Sequence, residues 1–169
     1  SNGREHGAIG FASIFIEKTL GDRLAIGIDY VPSALDTETT ETTKRDKTTA
    51  DAQSSKTNKL QVDFEDLTTY YLSLNVTDSA YIRAGLVTVD VITNENLGTG
   101  STYGNTDLDG TLLGVGFSKD LNNGKFLRVE GNYMDFDGAS LTSQNNSDNK
   151  ITLNSLEGVS GKISFGKTF

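Results

Sequence analysis

The sequence predicts an all-β chain folded as an antiparallel, up-and-down transmembrane β-barrel of about eight strands, with apolar side chains turned outward. Three observations predict it. Residues alternate at period two along most of the chain, the periodicity of strands rather than helices. In that alternation the small and polar row, not the greasy one, reads as the enclosed row. Tight connections alternate strictly with long polar ones. The final segment, 151–169, shows the first two together: Ile163, Phe165 and Phe169 alternate with Lys162, Ser164, Gly166 and Thr168. A soluble domain buries its large apolar row, whereas a barrel in lipid exposes it.

Composition bounds the classes. With 169 residues the chain reads as one domain spanning 1–169, and 18 glycines against a single proline suit strands and turns. A hydrophobic content of 35% is low for a packed soluble core of this size, but sufficient for an apolar shell one side chain thick. No apolar run is long enough for a membrane helix, whereas a barrel strand needs only about 9–11 alternating residues. The chain has no cysteine, which excludes disulfides, iron–sulfur clusters and thiol catalysis. A net charge of −8 without a basic stripe argues against nucleic acid as a partner. No signal peptide is visible at Ser1, so an exported protein is expected to be already processed.

Strands are expected near 7–19, 23–33, 59–77, 80–92, 111–119, 125–137 and 151–169. In the first, Phe15 competes with Ile14 and Ile16, and the faces stay unassigned. In the second, Leu24, Ile26, Ile28 and Tyr30 alternate with Ala25, Gly27 and Asp29. The third carries an even row of Leu60, Val62, Phe64, Asp66, Thr68, Tyr70, Leu72, Leu74 and Val76, apolar except at Asp66 and Thr68. Its first half, with Asp63, Glu65 and Asp66, is expected to rise above the membrane as a hairpin arm. In the fourth, the apolar row begins as Ile82, Ala84, Leu86 and switches to Val87, Val89, Val91, which predicts a β-bulge near Leu86. In the fifth, Leu113, Val115 and Phe117 alternate with Gly114, Gly116 and Ser118. In the sixth, Leu127, Val129 and Tyr133 alternate with Arg128, Glu130 and Asn132. Connections at 20–22, 78–79 and 120–124 are tight, while those at 34–58, 93–110 and 138–150 are long, polar and expected outside the cell. Seven strands is an odd count where bacterial single-chain barrels are even. The expectation is an eighth, N-terminal strand that is missing or supplied by another chain, with Ser1 lying in the first external loop.

On these rows, and on the terminal run Gly161-Lys162-Ile163-Ser164-Phe165-Gly166-Lys167-Thr168-Phe169, the chain resembles the small Gram-negative outer-membrane barrels of the OmpA/OmpX-like and opacity-like group. The resemblance implies residence in the outer membrane, with lipid and lipopolysaccharide as surroundings. It also implies that Gly161, Ile163, Phe165 and Phe169 form the assembly signal read by the barrel assembly machinery. Lys167 departs from the apolar row, and near a rim it is expected to snorkel.

The enclosed row carries Asp29, Arg83, Arg128, Glu130 and Lys162, which are expected to meet as a lumen charge network, since buried charges need opposite partners. The simplest reading is a salt-bridge plug; the alternative is a narrow, porin-like ion path. Tyr30, Tyr70, Tyr71, Tyr81, Tyr133, Phe126, Phe136 and Phe169 lie in outer portions of strands and are expected, where they face lipid, to form interfacial girdles. The stretch Ala34–Asn58 reads as a solvated loop, or as a surface for a receptor, lipopolysaccharide or phage. Asn105-Thr106-Asp107-Leu108-Asp109-Gly110 has oxygen ligands but lacks the bidentate Glu of a calcium loop, and no metal is expected. Asn145-Asn146-Ser147 matches a glycosylation sequon that means little in a bacterial setting. The sole histidine, His6, lacks a serine motif beside it, and no phosphate loop or dinucleotide fingerprint occurs, so neither enzyme activity nor a cofactor is expected. The expected role is structural or surface-interacting in the outer membrane. The alternatives are a narrow channel and a soluble, lipocalin-like ligand-binding barrel.

Overall fold

The computed structural model describes residues 12–32, 35–36, 40–49, 52–96, 102–144 and 150–168. The calls on Ser1, His6, Asn145-Asn146-Ser147 and Phe169 lie outside them. The described chain is all-β: β1 (Ile14–Leu20), β2 (Leu24–Tyr30), β3 (Leu35–Asp36), β4 (Thr40–Thr49), β5 (Ala52–Asn75), β6 (Ala80–Asn96), β7 (Thr106–Asp120), β8 (Lys125–Phe136), β9 (Ala139–Thr142), β10 (Lys150–Leu153) and β11 (Leu156–Lys167). Seven strands form an antiparallel, up-and-down sheet in the order β1-β2-β5-β6-β7-β8-β11, with β3 and β4 folded back on β5. β9 and β10 pair with each other as a separate ribbon.

The tight turns carry the chemistry expected of them. Gly21 (φ 75°), Asn123 (φ 64°) and Gly124 (φ 70°) supply left-handed backbone, and the Thr77 hydroxyl accepts from the Ala80 amide at 2.9 Å. The long connections hold more structure than a solvated loop would. Within 34–58, β4 pairs with β5 from Thr40↔Leu60 to Thr49↔Ala52, so a hairpin arm replaces the predicted loop. Threonine-rich sequence favours this, because β-branched residues suit a pleated strand. The predicted single strand over 151–169 is interrupted at Asn154–Ser155, where the chain leaves the β9–β10 ribbon and enters the main sheet.

Among the described residues the sheet is open: β1 and β11 are its edges and do not pair with each other. Its curl nevertheless brings side chains of β1 against β8, with Phe15 and Phe126 ring centroids 6.1 Å apart. Lys162 of β11 forms an ion pair with Asp29 of β2.

The two faces of the sheet exchange character along the strands. Towards the tight turns, the convex face exposes Leu24 (37%), Ile28 (41%), Leu72 (49%), Leu74 (43%) and Phe165 (63%), while the concave face buries Asp29, Thr69, Ser73, Arg83, Glu130 and Asn132. Towards the long connections the order reverses. There the concave face buries Val31, Leu67, Val87, Val89, Val91, Leu108 and Phe136, with Val62, Phe64, Met134 and Ala139 against them. The convex face at that level exposes Asp90, Asp107, Asp109 and Asp135. Strand register links the change across the sheet, since Leu86 pairs with Thr111, Thr111 with Asp135 and Asp135 with Glu157.

This inversion corrects the bulge predicted near Leu86. β6 pairs with β7 without a register shift from Ala80↔Phe117 to Val91↔Thr106. The odd residues of β6 face inward throughout; Tyr81 and Arg83 give way to Val87, Val89 and Val91 because the interior itself turns apolar. The bulge is in β5. Glu65 pairs with Asp90 and Thr68 with Thr88, leaving Asp66 and Leu67 opposite one residue. Asp66 has φ 52°, a left-handed conformation that a short polar side chain tolerates. The Thr68 hydroxyl donates to its carbonyl at 3.0 Å, and the Tyr30 hydroxyl donates to its carboxylate.

Candidate functional site: the ionic interior

Five strands, β1, β2, β6, β8 and β11, aim charged side chains into the concave face near the tight turns. Arg83 from β6 and Glu130 from β8 meet at 2.9 Å, both at least nine-tenths buried. The Tyr81 hydroxyl donates to Glu130 at 2.6 Å, and Asn132 donates its amide to Glu130 at 2.9 Å. The Arg83 guanidinium also donates to the Ser73 hydroxyl at 3.1 Å and lies 3.8 Å from the centroid of the Tyr71 ring. Glu17 of β1 receives a bidentate pair from Arg128 at 2.8 and 2.9 Å, accepts from the Tyr71 hydroxyl at 3.1 Å and lies 3.7 Å from Arg83. Arg128 itself stacks 4.6 Å from the Phe126 centroid.

Two glycines make the network possible. Gly27 lies directly opposite Tyr71, and Gly116 directly opposite Tyr81. A Cβ on Gly27 would come within 2.3 Å of the Tyr71 ring, and one on Gly116 within 2.4 Å of the Tyr81 ring. The large inward tyrosines lie over bare backbone on the neighbouring strand, which holds their hydroxyls at the carboxylates.

The five charges singled out from the sequence divide into two groups. Arg83, Arg128 and Glu130 share one continuous network; Asp29 and Lys162 pair separately with each other. Sequence reasoning missed Glu17, which links Arg83 to Arg128, because both rows of β1 are apolar around it. Of the aromatic residues expected to form girdles where they face outward, Tyr71, Tyr81 and Phe136 are buried on the concave face, and Phe126 is half-buried there. The directly opposed glycines were the available signal for the two tyrosines. Tyr70 and Tyr133 are exposed on the convex face, near the level where it turns polar. Of the residues named for the assembly signal, Gly161, Ile163 and Phe165 are exposed on the edge strand β11. Among the described residues no group of three or more His, Cys, Asp or Glu is arranged to hold a metal. No protein-family model, no curated protein and no solved structure matches the chain.

Chemically the arrangement is a set of mutually neutralising charge pairs in the concavity of the sheet. The inward carboxylates of Glu17, Asp29 and Glu130 are each met by a cation, and the guanidinium groups of Arg83 and Arg128 each by a carboxylate and an aromatic face. Immediately above, the apolar cluster around Val87, Val89 and Leu108 fills the same concavity. Two successive fillings of opposite character occupy the interior.

Proposed function

We propose that the chain is an integral outer-membrane β-barrel with an architectural or surface-presenting role, without enzymatic activity. The observation that carries this reading is the exposed apolar convex face over an ionic concave one, with both reversed towards the long connections. A protein bathed in water on all sides gains nothing from exposing Ile16 (74%) and Ile163 (77%) while burying Arg83 and Glu130. A sheet bathed in lipid over one band and in water above it needs this pattern. The polar convex face and the β4–β5 arm then stand outside the bilayer, where lipopolysaccharide, a receptor or a phage is the natural class of partner. A soluble ligand-binding barrel would require Leu24, Ile28 and Leu72 to line the interior, and they face away from it. The doubly filled interior supports an architectural role over a conducting one.

Partitioning between buffer and detergent tests the reading. The chain is expected in the detergent phase, and to gain protease protection over its strands when inserted in lipid vesicles. A monodisperse, folded protein in detergent-free buffer would overturn it.

A further inference from the structure

The two edges of the sheet run the same way. β1 descends from Ile14, opposite Tyr30, to Leu20 beside the Gly21 turn, and β11 descends from Leu156 to Lys167. Seven antiparallel strands leave this parity, so direct closure would add one parallel pair to an otherwise antiparallel wall. The alternation of ladder bonds shows which groups are at stake. Val31 donates its amide to Leu67 and Asn75 donates to Arg23, so the even residues of β2 turn their amides to β1. On β1 the amides of Phe15, Glu17 and Thr19 therefore point into the seam. Thr168 donates to Gly124, which by the same alternation leaves the amides of Gly161, Ile163 and Phe165 on the other side of it. In lipid, unpaired backbone groups are heavily penalised.

We propose that the seam between β1 and β11 is a receptor for one added β-strand. Its occupant is an extended polypeptide segment running from the Leu20 level to the Ile14 level, which makes it antiparallel to both edges. Its outward residues are apolar, to continue the band of Ile14, Ile16, Ile163 and Phe165. Its inward residues are small and uncharged: Glu17 is already held by Arg128 and Asp29 by Lys162, so a further charge would meet no counter-charge. A second copy of this chain is not the occupant. Inserted in the same orientation, both of its edges also descend and offer only parallel pairing. The inference rests on the membrane reading for its driving force; the direction of the edges holds without it.

The chain contains no cysteine, so introduced cysteines report position. Arg128 lies opposite Ser164 and reaches Glu17, which places Lys18 and Phe165 at one level on the convex face. The probe is a synthetic biotinylated peptide as long as β11, with Leu outward, Ser inward and one central outward Cys. It is offered to Lys18→Cys and, separately, to Phe165→Cys chains. Binding is scored in detergent micelles, and vesicle insertion is scored in parallel by protease protection. Failed insertion strikes the membrane reading; failed peptide binding strikes this proposal. Disulfide formation with both variants is expected, at one peptide per chain. Retention is expected to fall about tenfold when a central proline removes ladder donors, and similarly when a central inward Ser becomes Glu. No cross-link, equal retention of the proline peptide, or a direct disulfide in a Lys18→Cys/Phe165→Cys double variant without peptide would overturn it.

Discussion

Glu130 accepts from Arg83, Tyr81 and Asn132 at once, so neutralising it leaves a buried guanidinium with Glu17 alone, 3.7 Å away. Glu130→Gln is expected to destabilise the fold by about 3–5 kcal/mol, the cost of leaving a buried charge without its partner. Urea unfolding in detergent, followed by tyrosine fluorescence, measures this. The double variant Glu130→Gln/Arg83→Met is expected to recover much of the loss. A second contrast isolates packing from charge. Gly116→Ala drives a Cβ into the Tyr81 ring and is expected to cost about 1–3 kcal/mol. Gly131→Ala, on the convex face with nothing within 4 Å, is expected to change stability little in the same assay. At this scale much was legible. Arg83, Arg128 and Glu130 share an inward row because strand alternation places them there. Glu17 was not, since alternation cannot assign a face where Phe15, Ile14 and Ile16 make both rows greasy.

The clearest lesson of the elements comes from setting β5 beside β6. In β5 the even row is apolar at Val62 and Phe64 and again from Tyr70 to Leu74, interrupted only by Asp66 and Thr68, although the Asp66 bulge moves it from the inside to the outside. The interior changes from apolar to polar at the same level, so the geometric flip and the chemical flip cancel, and the greasy row resumes in the same parity after the short polar interruption at Asp66 and Thr68. β6 has no bulge, the chemical flip stands alone, and the sequence imitates a register shift at Leu86. Alternation reports the product of register and environment, and neither can be read from it singly. Deleting Asp66 should therefore turn Val62 and Phe64 outward above the apolar band, and the chain is expected to lose the β-sheet signal of its folded state, measured by circular dichroism in detergent. Asp66→Gly should preserve stability, whereas Asp66→Val should cost about 1–3 kcal/mol for a strained left-handed backbone.

For the whole molecule, arginine scanning maps the level at which surroundings change. Under the membrane reading, Val115→Arg and Ile163→Arg are expected to lower the stability of the inserted state by about 2–4 kcal/mol, as charges do near a bilayer midplane. Asp109→Arg and Asp135→Arg, on the polar part of the convex face, are expected to change it by less than about 1 kcal/mol. Denaturant titration in lipid vesicles checks both. The plugged interior is expected to give no sustained current in planar bilayers, and steady conductance steps from the unmodified chain would count against the architectural role.

The reversal of faces also bears on how such a chain reaches its resting place. The end that carries Asp90, Asp109 and Asp135 outside and valines within is a water-loving head on an oil-loving shank. Under the membrane reading, the head would have to cross the bilayer before its valines close on one another. Once they close, withdrawal would drag that row of carboxylates back through hydrocarbon. On that reading the shape is a rivet's, expected to be slow to set and slower to pull.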